Sequence, residues 1–234
     1  MNIRIKFRKY GAMKFISHLD VMRYFQKALR RAGIDICFSE GFSPHMIMSF
    51  AAPLGVGLTS EGEYVDIRVN RSPSSAEAVR RLNETMAEGM DVVSFRLLPE
   101  NSKNAMSIVA AAAYEVWFRN SGEPMDRWRE KFREFMEQKE IRIIKETKRG
   151  SLEVDIRPWV LAYSIGDRSV SLLLCAGSVH NLKPELLMQA FGAWAGTDIS
   201  ASALQVHRRD LYAEQGDGDS RKLVSLEELG EDIG

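Results

Sequence analysis

The chain opens on a period of two. Ile3, Ile5 and Phe7 alternate with Arg4, Lys6 and Arg8, which predicts a strand with one apolar face and one basic face. Past Tyr10–Gly11 the period lengthens. Leu19, Met22, Phe25, Leu29 and Ala32 recur at helical spacing and predict a helix over 18–32 with Gly33 as its stop. At its start, in "FISHLDVMRYF" (15–25), Ser17 and Asp20 have capping-box spacing and Ile16 and Val21 occupy the positions of a hydrophobic staple. The pattern continues as a strand at 34–39, a Gly/Pro/Ser loop "EGFSPH" (40–45), a short apolar segment at 46–50 and the connection "APLGVGLTSEGE" (52–63). A strand "EYVDIRVN" (63–70), a helix in "SSAEAVRRLNETMAEG" (74–89) capped by Ser74 or Ser75, and a strand "DVVSFRLLPE" (91–100) complete a βαββαβ order.

From residue 110 the order repeats in pattern, though not in letters. Strand "AAAYEVWFRN" (111–120) precedes helix "MDRWREKFREFMEQ" (125–138), strands "EIRIIKETKRG" (140–150) and "SLEVDIRPWV" (151–160), and an extra strand "SVSLLLCAG" (169–177). Helix "KPELLMQAFGAWAG" (183–196) and strand "DISASALQVHRRDLY" (198–212) close it. The βαββαβ order with right-handed crossovers builds an antiparallel sheet with its helices on one face. The expected class is therefore α+β, two ferredoxin-like units in tandem: 1–104, then 105–212, with 213–234 a mobile acidic tail forming a short helix near 223–229.

Composition narrows the function classes. With 234 residues, 45% hydrophobic and 27% charged, the chain can bury a core, and no apolar run approaches the roughly 18 residues of a membrane span. The N-terminus alternates charge with apolar residues, unlike a secretory signal, so a cytoplasmic protein without membrane contact is expected. Cys37 and Cys175 stand far apart in apolar stretches, as reduced thiols do, and zinc and iron–sulfur spacings are absent. No metal and no cofactor are expected.

Net charge is zero but unevenly spread: residues 1–50 hold nine Lys/Arg against three acids, and residues 213–234 hold seven acids against two bases. A basic N-terminal region points to an anionic partner, and RNA is the expected one. Three surfaces could serve. Arg4, Lys6, Arg8, Arg68 and Arg96 fall on the uncovered side of the first sheet, with Tyr64 the one aromatic beside them; a helix stripe carries Arg23, Lys27, Arg30 and Arg31, with Lys14 just before it; and "KETKRG" places Lys145, Lys148 and Arg149 in a turn. An ordinary solvated face or an interface between units accounts for the same charges. The loop holding Phe42, Ser43, His45 and Met46, followed by Met48, is the candidate for docking a partner protein.

The catalytic candidates are few. His18 in the first helical turn has the chemistry of a general base or acid on a ribose hydroxyl, but a local packing role explains it as well. His180 and His207 lack an acid or cysteine companion at a recognisable spacing, and "PLGVGLTSEG" lacks the Lys-Ser/Thr ending of a phosphate loop.

The run "KFISHLDVMRYFQKALRRAGIDICFSEGFSPHMIMSFAAPLGVGLTSEGEYVDI" (14–67) resembles a bacterial domain of unknown function, the radical-SAM-linked protein family, in its "SHLD" helix start, "ALRRAG" helix end and "GF-x-PH…PLG…SEGEY-x-D" continuation. The match is specific over 1–70 and weaker to about 210. The resemblance implies a bacterial cytoplasmic accessory protein beside a radical SAM enzyme. Radical chemistry would belong to that partner, because this chain lacks the three-cysteine cluster. The tandem architecture and His18 are also distantly similar to CRISPR repeat-processing endoribonucleases, whose glycine-rich C-terminal segment is missing here. The expectation is a non-catalytic RNA-binding accessory protein; a metal-independent endoribonuclease and a pure protein-interaction module are the alternatives.

Overall fold

The opening alternation becomes strand β1 (Asn2–Lys9), and the capped helical run becomes α1 (His18–Arg31), in a computed structural model that describes residues 1–119, 124–147, 150–216 and 218–234. β2 (Met48–Phe50), β3 (Thr59–Arg68), α2 (Ser75–Asn83), β4 (Val92–Leu97) and the short α3 (Ala105–Ile108) follow. Then come β5 (Val109–Phe118), α4 (Trp128–Met136), β6 (Arg142–Thr147), β7 (Gly150–Asp155), β8 (Val160–Ile165), β9 (Ser169–Cys175), α5 (Pro184–Trp194), β10 (Leu204–Gln215) and β11 (Lys222–Ser225). The class is mixed α+β with mostly antiparallel pairing. Two compact units emerge, Met1–Ala110 with Arg208–Gly234, and Ala111–His207.

In the first unit β1 pairs antiparallel with both β3 and β4, β2 adds to β3, and β10 and β11 extend the order to β4-β1-β3-β10 with β11 on β10. The apolar face of β1 meets α1 and α2: Ile3, Ile5 and Phe7 pack with Val21, Phe25, Leu29, Ala78 and Leu82. The rings of Phe7 and Phe25 lie 4.6 Å apart. At the start of α1 the Ser17 hydroxyl accepts the Asp20 N–H at 3.3 Å and donates to the Asp20 carboxylate at 2.6 Å. Helix N-termini leave donors unpaired, so Ser17→Ala is expected to lower unfolding free energy by about 1 kcal/mol, measured by urea denaturation.

Several expectations are corrected. Leu19 is 61% exposed, because α1 buries the stripe through Val21, Phe25, Ala28 and Leu29. Residues 34–39 make isolated bridges, Ile36 to Val69 and Phe38 to Met46, in place of a strand. The division falls after Ala110, and the last 27 residues return to the first unit. The expected mobile tail is folded there: β11 pairs with β10, Leu226 is fully buried, and a 3-10 turn covers Leu226–Leu229. Asp217 lies outside the described residues. Gly62 permits the close approach of β3 to β10, since a Cβ there would sit 2.5 Å from Asp210 Oδ1 and 2.7 Å from Arg209 O.

In the second unit β5, β9 and β8 are successive antiparallel neighbours, and the order is β10-β5-β9-β8. Its core gathers Trp128, Phe132 and Phe135 of α4 with Phe191 of α5, the Phe132 and Phe191 rings 5.0 Å apart edge to face. The strands expected at 140–150 and 151–160 do not join that sheet; β6 and β7 form a separate hairpin, and the strand role passes to β8. Both exposed Ile144 and Leu152 lie on this hairpin.

Candidate nucleic-acid interface

Alternation correctly puts Arg4, Lys6 and Arg96 on the side of the first sheet away from α1 and α2, but that side is not an open cation platform. Arg4 is 1% exposed. Its Nε and Nη2 donate to the two carboxylate oxygens of Asp66 at 2.8 and 2.9 Å, a bidentate fork, and Nη1 donates to Leu226 O at 3.2 Å. Lys6 donates to Asp210 at 3.1 Å and to Glu227 at 2.9 Å. Arg96 pairs with Asp232 at 2.8 Å. Tyr64 is buried and hydrogen-bonds Asp210 at 2.5 Å, so it offers no ring to a base. The acidic segment 213–234 supplies much of the counter-charge. Of the five expected platform cations, Arg8 and Arg68 are exposed; Arg68 donates to Asn2 Oδ1 at 3.4 Å beside a cleft of about 320 Å³ that also touches Ser49, Ser102 and Asn104.

The Lys6–Glu227 pair sets a pH response. Burial works against the Glu227 charge, but the Lys6 hydrogen bond and charge outweigh it and hold the carboxyl below its ordinary value of 4.5. Burial likewise opposes the Lys6 charge, and Glu227 and Asp210 raise its pKa on balance. A carboxyl depressed by folding contributes stability above its unfolded pKa and loses it as pH falls through the folded value. Acid titration of the denaturant midpoint should therefore show a drop below about pH 4.5 that shrinks in Glu227→Gln.

A second charged group was not foreseen. Arg208 Nη1 and Nη2 donate to Ala52 O and Pro53 O at 3.1 and 3.3 Å, Arg208 faces buried Glu63 at 3.4 Å, and Lys9 donates to Ile16 O at 3.1 Å. Burial pushes the Glu63 carboxyl above its usual range against the charge of Arg208, and pulls the Lys9 ammonium below its own. Lys9 holds the backbone at Ile16 and Arg208 that at Ala52 and Pro53, so the group ties the segment before α1 to the one before β3. His18 lies alongside, its ring edge-on to Phe50 at 5.2 Å, and burial followed by the Lys9 charge lowers its pKa. No acid is hydrogen-bonded to it among the described residues, so it lacks the partner that would orient a general base.

The helix stripe is where the cations stay available. Arg23, Lys27, Arg30 and Arg31 are all exposed on the side of α1 opposite its buried stripe. Arg23 faces Asp20 at 3.6 Å. The side chains of Lys27, Arg30 and Arg31 have no ion pair or hydrogen bond among the described residues. Lys14 places its ammonium 5.0 Å from the centroid of the Phe15 ring, which is 66% exposed. Of the expected docking loop, Phe42, Ser43 and His45 are exposed, whereas Met46 is buried and Met48 packs on the core. Ser39 closes the loop base through its hydroxyl, 2.9 Å from His45 Nδ1. Lys145 lies over the Trp159 ring at 5.4 Å and His180 stacks 5.2 Å from it; Lys148 and Arg149 lie outside the described residues.

Among the described residues no cluster of His, Cys, Asp and Glu could hold a metal ion, and no helix is long and apolar enough to cross a membrane. Residues 2–184 match a family described as "Uncharacterized protein conserved in bacteria (DUF2344)". No curated protein matches the chain.

Proposed function

The chain belongs to DUF2344, a bacterial family of uncharacterized proteins, and we propose that it is a non-catalytic RNA-binding accessory protein whose contact surface is the outward ridge of α1. One observation carries this reading: four exposed cations, Arg23, Lys27, Arg30 and Arg31, share one helix side, and three of them have no protein partner among the described residues. A polyanion gains there by counterion release without first breaking internal pairs. Of the sheet-face cations, Arg4, Lys6 and Arg96 do not support the reading, since their charge is already matched within the unit; Arg8 and Arg68 are exposed but do not complete a platform without them.

In this proposal the two units are a ferredoxin-like tandem. Its support is the pairing of β1 to β4 and β3 with β2 on β3, and the order β10-β5-β9-β8 once the β6–β7 hairpin is set aside as an insertion. The protein acts in the bacterial cytoplasm beside a radical SAM enzyme, a part of the reading that rests on the sequence resemblance of residues 14–67. Two cysteines cannot hold a cluster of the radical-SAM kind, so that chemistry falls to the partner.

The test is titration of labelled RNA with the wild type and with Arg23, Lys27, Arg30 and Arg31 all changed to Gln. Tight, salt-sensitive binding by the wild type and its loss in the variant support the proposal; equal binding by both removes its support. Metal-free protein should leave the RNA intact, and a cyclic-phosphate product abolished by His18→Ala would favour the nuclease instead.

A further inference from the structure

The ridge of α1 does not begin with a charge. Leu19, 61% exposed, lies on the same side as Arg23 and Arg30, and just ahead of the helix stands Phe15, 66% exposed at the end of the 3-10 turn Gly11–Phe15. An exposed aromatic ring offers a flat apolar face on which a planar partner can stack. At this end of α1, Val21 lies in the core and Ile16 packs against it, while Phe15 stays outside. One face of the ring carries the Lys14 ammonium at 5.0 Å, which adds a cation at the aromatic end.

Resting on the RNA-binding reading above, we infer that the α1 surface takes single-stranded RNA, with one base stacked on the open face of Phe15 and the phosphate backbone running along Arg23, Lys27, Arg30 and Arg31. The arrangement joins the two elements that single-strand binders combine, a basic track and an aromatic face for a base. The helical rise puts Arg31 about 18 Å beyond Leu19, room for a run of phosphates. A duplex fits worse: its bases are stacked on one another and cannot reach Phe15. Charge complementarity alone would also admit an acidic peptide, but a peptide of carboxylates has no flat face for the ring.

Fluorescence anisotropy with a short mixed-sequence RNA, offered single-stranded and as a blunt duplex, tests this. The single strand should bind at least about 5-fold more tightly, the low end of one stacked base. Phe15→Ala should erase that preference while leaving the slope of log affinity against log salt unchanged, because no phosphate contact is lost; Phe15→Trp should keep it. Phe15 is exposed, and an unchanged melting temperature in the variants confirms that the fold is intact. Equal affinity for strand and duplex, an unaffected Phe15→Ala, or displacement of the RNA by polyglutamate as readily as by unlabelled RNA overturns the inference while leaving RNA binding in place. Absence of any RNA binding by the wild type overturns the proposed function itself.

Discussion

Arg4→Met is expected to lower the free energy of unfolding by about 3–5 kcal/mol, the cost of leaving one member of a buried ion pair without its partner. Arg4 is enclosed, and Asp66, 12% exposed at its side chain, accepts both arms of the guanidinium fork. Asp66 also accepts the Ala105 N–H at 2.7 Å, and Arg4 holds Leu226 O. Removing the arginine therefore loosens the hold on residues 105 and 226 as well as exposing an unpaired carboxylate to a dry environment. Urea denaturation of wild type and Arg4→Met measures the loss. Adding Asp66→Asn to Arg4→Met should recover part of it, because the uncompensated charge disappears with the second change. This result separates two pictures of β1. An arginine waiting on an open face for phosphate would cost little stability when removed and much affinity; the structure predicts the reverse, and near-wild-type stability of Arg4→Met would refute the buried pairing.

The second large effect is on affinity. If all four ridge cations contact phosphates of a single strand, log affinity should fall against log salt with a slope of about −2.8, roughly a 50-fold loss between 50 and 200 mM salt. The four-fold glutamine variant should flatten that slope almost to zero and unfold at the same urea concentration as the wild type, since these side chains make few internal contacts. Single changes should each remove about one quarter of the slope. An unaltered slope in the four-fold variant would place the RNA, if bound, on some other surface. Lys6→Gln is the informative control: it breaks pairs with Asp210 and Glu227, so it should alter stability and leave the salt slope untouched.

Much of the local architecture was legible before any coordinates. The Ser17–Asp20 spacing announced the α1 start, the α2 cap was narrowed to Ser74 or Ser75 and is Ser74, accepting the Glu77 N–H, and the alternation of Ile3, Ile5 and Phe7 named the buried side of β1. These features rest on groups three or fewer residues apart, where spacing alone fixes geometry. The same local logic failed for Leu19, since an apolar letter at helical spacing says which side of a helix it lies on and not whether anything packs there. It also failed for β6 and β7, whose alternation is that of any strand; whether a hairpin joins a larger sheet depends on which edges are already taken.

The candidate site divides along the same line. Sequence by itself determined that residues 1–50 are rich in cations, that Arg4 and Lys6 face away from the apolar side of β1, and that Arg23, Lys27, Arg30 and Arg31 share one helix side. Only the tertiary structure decided which of these charges remain available. Arg4 meets an acid 62 positions later and a carbonyl 222 positions later, and Lys6 meets acids 204 and 221 positions later. The acidic C-terminal segment, which composition alone describes as a tail, folds back as β11 and supplies Glu227 and Asp232 as partners. The physical reason is that periodicity encodes direction, a property of neighbouring residues, whereas neutralisation requires an opposite charge within about 4 Å, and such neighbours are assembled only when distant parts of the chain come together.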